Sequence, residues 1–225
     1  METKPNFSIK QALSKGWQTY KANFGFLAVT FILYLLIYGL FSGIQSYFSK
    51  QESILAIILA LISMYVSFLL QIGWVRIGLK LLNGESAEYE DLLRGNDRII
   101  SYFLGNLLVG IIVCAGLILL IIPGFYWALK YMYVPYLIAD RKLKVNDAMK
   151  LSATMTKGVK WQLIGYGFVQ IGLIIAGAIA FLIGLIAVLP TLWLASLAIY
   201  QQLLSCIENQ NSLGQALATD IVNSK

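Results

Sequence analysis

The chain contains no histidine and only two cysteines, Cys114 and Cys206. Without imidazole, a zinc or haem site would need unusual ligands. Two cysteines in separate apolar segments make no disulfide framework, so free thiols are expected. Charge is scarce as well. Asp, Glu, Lys and Arg make up 12% of the 225 residues, against about 25% in an ordinary soluble domain. Acids are the scarcer sign, 11 against 17 bases. A surface this poor in charge is not built for water.

What the chain has instead is hydrophobic length. Segments 22–49, 53–75, 99–129 and 161–207 contain no charged residue. About 20 apolar residues cross a bilayer core, so the last segment is too long for one crossing and suits two. The prediction is an all-α fold, a polytopic membrane helix bundle of six transmembrane helices in three hairpins, with amphipathic interfacial helices. It reads as one membrane domain over 1–225, with hairpin modules at about 1–83, 84–140 and 141–225. The first apolar run begins late and lacks a small-residue cleavage site, so it reads as a retained helix and not a signal peptide.

In chain order, Ile9, Leu13, Trp17, Tyr20 and Phe24 recur at helical spacing and predict a short amphipathic helix at the membrane surface. Helix 1 follows over 24–48 and carries Gly39 and Gly43 at GxxxG spacing, which lets helix backbones approach. A brief link over 49–52 leads to helix 2 over 53–75, which continues to Asn83-Gly84. The acidic stretch 85–98, with Glu85, Glu88, Glu90, Asp91 and Asp97, reads as a solvated loop containing a short helix. Helix 3 covers 99–122, Pro123-Gly124 turns the chain, and helix 4 runs to about Ala139. A second amphipathic segment, 141–160, places Val145, Ala148, Met149, Ser152, Met155, Thr156 and Val159 on one stripe. Helices 5 and 6 divide just before Pro190, and a polar tail begins at Glu208.

The bases are distributed unevenly. With six crossings, the N-terminal segment, the 2–3 and 4–5 loops and the C-terminus share one side and hold fifteen Lys and Arg. The other side holds Lys50 alone, and Lys130 falls within a span. Positive loops stay in the cytoplasm, which puts both termini inside. Internal similarity is also visible. Gly105, Gly110 and Pro123 match Gly172, Gly177 and Pro190 at an offset of 67, and Ile9, Ala12 and Lys21 match Val145, Ala148 and Lys157 at an offset of 136. Parallel repeats of this kind occur in membrane transporters.

Residues 121–140, IIPGFYWALKYMYVPYLIAD, and the following NDAMKLSATMTKGVKWQLIG carry a pattern. It is Pro123-Gly124, an aromatic helix ending in Pro135-Tyr136-Leu137-Ile138 and Asp140, then Ala148, Ser152 and Thr156-Lys157-Gly158. In these residues the chain resembles bacterial integral membrane proteins of unknown function related to the membrane domain of glycerophosphodiester phosphodiesterases. The resemblance implies a six-helix bundle in a bacterial cytoplasmic membrane. It transfers no enzymatic activity, because the catalytic barrel of those enzymes is absent.

Lys130 is the sharpest candidate for a function, since an ionisable group within a span is a functional hypothesis by default. Two readings stand beside each other. The lysine stem can snorkel to the outer headgroups. Alternatively, Pro135 withholds a backbone donor from the carbonyl of Tyr131, and Lys130, Tyr131 and Pro135 form an intramembrane polar site to which Asn106, Tyr166 and Gln170 contribute. Lys142, Lys144 and Lys150 are candidates for contact with anionic lipid. Cofactors and metals are not expected, and no nucleophile–base pair marks an enzyme. Membrane lipids are the expected partners, a protein partner stays unspecified, and nucleic acid is not expected. The composition thus points to a non-enzymatic membrane protein that organises or binds lipids or partner proteins, with a transporter or channel for a small amphiphilic or lipid-like substrate as the alternative.

Overall fold

The computed structural model describes residues 5–48, 54–179 and 183–223. It is helical, with no strand among the described residues. Nine helices are described: α1 (Ile9–Ala22), α2 (Phe24–Phe48), α3 (Ile54–Leu82), α4 (Ile99–Leu119), α5 (Ile121–Tyr131), α6 (Val134–Arg141), α7 (Val145–Met155), α8 (Lys160–Ile179) and α9 (Ile183–Asn223). Two short 3-10 turns, Tyr89–Leu92 and Asn96–Arg98, join α3 to α4. Five helical stretches are long and apolar enough to cross a membrane, built on α2, α3, α4, α8 and the first part of α9. The chain is a multi-pass membrane protein. The link over 49–52, with Lys50, lies outside the described residues. Cys114 and Cys206 are free thiols.

The long helices are asymmetric along their length. In α2 only Leu27 and Thr30 are buried, while Leu35, Leu36 and Leu40 are exposed. In α3 burial is almost continuous from Leu70 to Leu82, whereas Ile54, Ile57 and Ile58 are bare. The same holds for α4, buried at Ile99 and Tyr102 and exposed at Ile111 and Ile118, and for α8, buried at Leu163 and Tyr166 and exposed at Ile171 and Ile175. A shared base therefore holds the buried core, and apolar helix ends project from it. Exposed apolar surface on this scale is made to be covered, and a bilayer covers it.

Four expectations are corrected. The predicted fourth span is not one helix. It divides at Met132–Tyr133 into α5, of 11 residues, and α6, of 8, about 16 and 12 Å long at 1.5 Å per residue. Pro135 sits in the first turn of α6, where its missing N–H is no loss. Val134, Leu137, Ile138 and Ala139 are fully buried, so this apolar octet is protein core and not lipid-facing. Pro190, in contrast, does not divide two helices but lies inside α9. α9 begins at Ile183, so Pro190 stands within the helix, whereas Pro123 stands in the first turn of α5, and the proline match at offset 67 has no structural counterpart. The close glycine pairs are elsewhere. A Cβ on Gly116 would lie 2.7 Å from the α-carbon of Gly124, and one on Gly177 would lie 3.3 Å from the carbonyl carbon of Gly184. The polar tail from Glu208 continues α9 to Asn223.

The third correction concerns α1. It lies lengthwise along α9, antiparallel to it. The Ser8 amide donates to Gln202 Oε1 (2.9 Å) at one end, and the Tyr20 hydroxyl donates to the Ile186 carbonyl (3.1 Å) at the other. Its buried line is Ala12, Gly16 and Tyr20, while Trp17 and Phe24 stay exposed. Gly16 permits the approach, because a Cβ there would stand 2.7 Å from the carbonyl oxygen of Thr191. The fourth concerns the acidic stretch, which is only partly solvated. Asp91 is 1% exposed and pairs with Lys80 at 2.7 Å. Leu92 packs so tightly on α3 that a Cβ on Gly73 would overlap its backbone. Glu85, Glu88, Glu90 and Asp97 remain exposed.

Candidate functional site

The break between α5 and α6 opens a cavity. Met132, Pro135 and Tyr136 form one wall of a space of about 520 Å³. Gln71, Trp74 and Val75 of α3 form the second, Phe31 and Tyr34 of α2 the third, and Tyr102 of α4 closes it. The space forms because α5 stops at Tyr131 and the chain turns through Met132 and Tyr133 before α6 begins, with Pro135 already in the first turn of the new helix. Trp74 anchors the aromatic side, with its ring 5.8 Å from Tyr34, 6.2 Å from Phe31 and 4.8 Å from Trp193. One polar pair faces the rings, the Tyr102 hydroxyl and Gln71 Oε1 at 3.4 Å. A cavity mostly aromatic with few polar groups is the usual form of a site for an apolar or amphiphilic ligand.

The far end of α6 borders a different space. A polar crevice of about 620 Å³ is lined by Asp140, Arg141, Lys15, Gln201, Gln202 and Glu208, among others. Asp140 accepts from the Tyr200 hydroxyl at 2.8 Å, and Arg141 pairs with Glu208 at 2.7 Å. Between the two spaces stand Tyr133, Tyr136 and Tyr200, with Tyr136 and Tyr200 stacked at 5.8 Å. Arg98, 6% exposed, donates to the carbonyls of Ala139 and Asp140 and so holds the C-terminal turn of α6. Its Nε has no hydrogen-bond partner and faces Asp97 at 3.6 Å. One eight-residue helix is thus the wall shared by an aromatic cavity and a polar crevice.

Lys130 lies outside the cavity wall. Its carbonyl belongs to the last turn of α5, where helix carbonyls lack intrahelical partners. That oxygen accepts from Ser152 Oγ at 2.9 Å and Thr156 Oγ1 at 3.3 Å, both fully buried on α7. The ammonium is 5.0 Å from the Tyr131 ring. Lys130 therefore sits where the end of α7 packs against the last turn of α5. Asn106, Tyr166 and Gln170 do not join it. Asn106 donates to the Tyr102 carbonyl, and Tyr166 and Gln170 bond Ser196 on α9. Lys142 pairs with Asp97 at 2.7 Å. Lys144 precedes α7 and Lys150 lies exposed along it.

Of the three residues that the sequence suggests for an intramembrane polar site, Pro135 lines the cavity and Lys130 and Tyr131 do not, and the other walls come from α2, α3 and α4. Gln71 carried a usable signal, an amide within an otherwise apolar span. The aromatic residues carried none, since tyrosine at span ends is ordinary. No model of a known protein family, no curated protein and no solved structure matches this chain.

Proposed function

We propose that this is a non-enzymatic membrane protein that binds and organises lipid, with the aromatic cavity at the Pro135 break receiving an acyl chain or a similar amphiphile. The supporting observation is the cavity's place, at the foot of exposed apolar helix ends and walled by Phe31, Tyr34, Trp74 and Tyr136. An aliphatic chain leaving the bilayer there meets rings on three sides and one amide–phenol pair. The resemblance to bacterial proteins related to the glycerophosphodiester phosphodiesterase membrane domain belongs to the same reading, as does a cytoplasmic membrane with both termini inside. The return of α5 along α4 supports the charge argument for that orientation, since the basic segments then share one side even though the fourth crossing is broken. A three-module organisation is part of it as well. The Tyr89–Leu92 turn packs on α3 and α7 packs on α5 and α6, each on the helix pair before it, while α1 packs on α9 of the last pair.

The test is photolabelling with a phospholipid carrying a diazirine in its acyl chain. Adducts concentrated on peptides containing Trp74 and Tyr136, and lost in Val75→Phe, support the proposal. Adducts confined to the exposed helix ends, unchanged by Val75→Phe, refute it.

A second reading, transport of a small amphiphile, is favoured by the shared wall formed by α6. Proteoliposomes that move a fluorescent lyso-lipid, and cease to do so in Tyr136→Ala, would support it; equal movement by both would dismiss it.

A further inference from the structure

Two lysines distant in sequence meet at one face of α5. Lys160 Nζ stands 3.2 Å from the ring centroid of Tyr126, and Lys130 follows Tyr126 by four residues in the same helix, one turn on along that face. Neither ammonium has a carboxylate within ion-pair distance among the described residues, unlike Lys80 and Lys142. Ring faces offset part of an ammonium's lost hydration, but they carry no net charge. Lys160 over the Tyr126 ring and Lys130 beside the Tyr131 ring are like charges on one helix face; they repel, and the repulsion grows as the surroundings become less polar. An anion between them removes that cost.

The location says which anion. Lys160 opens α8, one of the five spanning helices. The next residue, Trp161, is 84% exposed, and the charge-free run follows directly. A lysine followed by an exposed tryptophan at the end of a span marks the headgroup layer. The positive end of the α8 dipole points to the same place.

We propose that Lys130 and Lys160, with Tyr126 beneath them, seat the phosphate of an anionic phospholipid at the α5–α8 junction. The proposal rests on the lipid-binding function given above. Lys160 sets the depth from the end of a span, and Lys130 arrives from the last turn of α5, positioned by Ser152 and Thr156 through its own carbonyl. Lysines at the level of the headgroups are suited to a phosphate diester, and a chain attached to that phosphate runs beside Trp161 and along α8.

The experiment uses the full chain in nanodiscs of phosphatidylcholine containing a minor fraction of phosphatidylglycerol, with retained lipid read by native mass spectrometry after release. The wild type should retain phosphatidylglycerol preferentially. The pair Lys130→Gln with Lys160→Gln should weaken that retention by about tenfold or more, from the loss of two charges at the surface. The pair Lys130→Arg with Lys160→Arg should keep it, as should Lys10→Gln with Lys157→Gln, two exposed lysines elsewhere on the chain. If the double glutamine variant does not fold, Lys160→Gln alone gives the same reading with a smaller loss. Wild-type retention in every glutamine variant overturns the seat. Equal loss in the Lys10/Lys157 pair reduces it to general basic attraction and overturns it too. Displacement by inorganic phosphate at constant ionic strength overturns the lipid assignment. Retention of phosphatidylcholine with no preference for phosphatidylglycerol leaves the lipid-binding function standing without the seat. Retention of neither lipid removes both.

Discussion

The helices α1 and α7 occupy matching places in the chain and do matching work on different partners. Ile9 and Val145 open them, Ala12 and Ala148 are fully buried in both, and Phe24 and Lys160 open the spans that follow. Each offers a hydroxyl to a carbonyl near a proline. Tyr20 reaches Ile186, whose ladder partner would have been Pro190. Thr156, at the position equivalent to Tyr20, reaches Lys130, near Pro135. The outcomes differ. α9 passes through its proline unbroken, while the helix before Pro135 stops and restarts. At Pro190 one orphaned carbonyl is supplied with one donor, and Gly16 lets α1 lie flat against the weakened stretch. At Pro135 the chain turns first, and the proline enters the next helix where no donor is needed. A proline in an apolar helix therefore does not decide a break; the neighbour that takes up the freed carbonyl does.

Four substitutions would sharpen or break that comparison. The largest effect is expected from Gly16→Ala, whose Cβ would press on the backbone at Thr191 and Ala195. Backbone cannot yield as a side chain can, so a loss of about 3 kcal/mol is expected from overpacking of this kind, read as a lower unfolding midpoint in detergent. Next is Ser152→Ala with Thr156→Val, which leaves the Lys130 carbonyl without its hydroxyl donors and should cost about 2 kcal/mol by the penalty for a buried unpaired acceptor. The same measurement applies, and a loss no larger than a surface substitution gives would sink the role of these two hydroxyls at the end of α5. Tyr20→Phe should cost about 1 kcal/mol on the same principle. Combined with Pro190→Ala it should cost less, because alanine restores the ladder donor to Ile186. A double-mutant cycle showing no coupling would end the comparison. The smallest effect should come from Pro135→Ala, under about 1 kcal/mol, because Pro135 occupies a first-turn position. Circular dichroism should show no gain of helix, since the buried side chains of α6 hold the turn in place.

The membrane class, the uneven distribution of bases and the match between Ile9, Ala12, Lys21 and Val145, Ala148, Lys157 were legible from composition and spacing. They depend on local properties: apolar length against bilayer thickness, and charge against the inner surface. The match at offset 67 failed because it aligned prolines without regard to what surrounds them. The site was half legible. Pro135 and Lys130 drew attention by being out of place in an apolar run, whereas Gln71, Tyr102 and Lys160 needed the packing of other helices on that run. The acidic stretch was misjudged for the same reason, since burial of Asp91 depends on Lys80 arriving from α3.

Hydropathy cannot tell a helix bathed in acyl chains from one enclosed by its own protein, because both surroundings are apolar. Residue order accordingly dictates that the long apolar helices leave water. Which of their residues meet lipid, what becomes the buried wall of α6, and which lysines end up on one face of α5 are settled by contacts between segments far apart in the chain, such as α1 with α9 and α5 with α8.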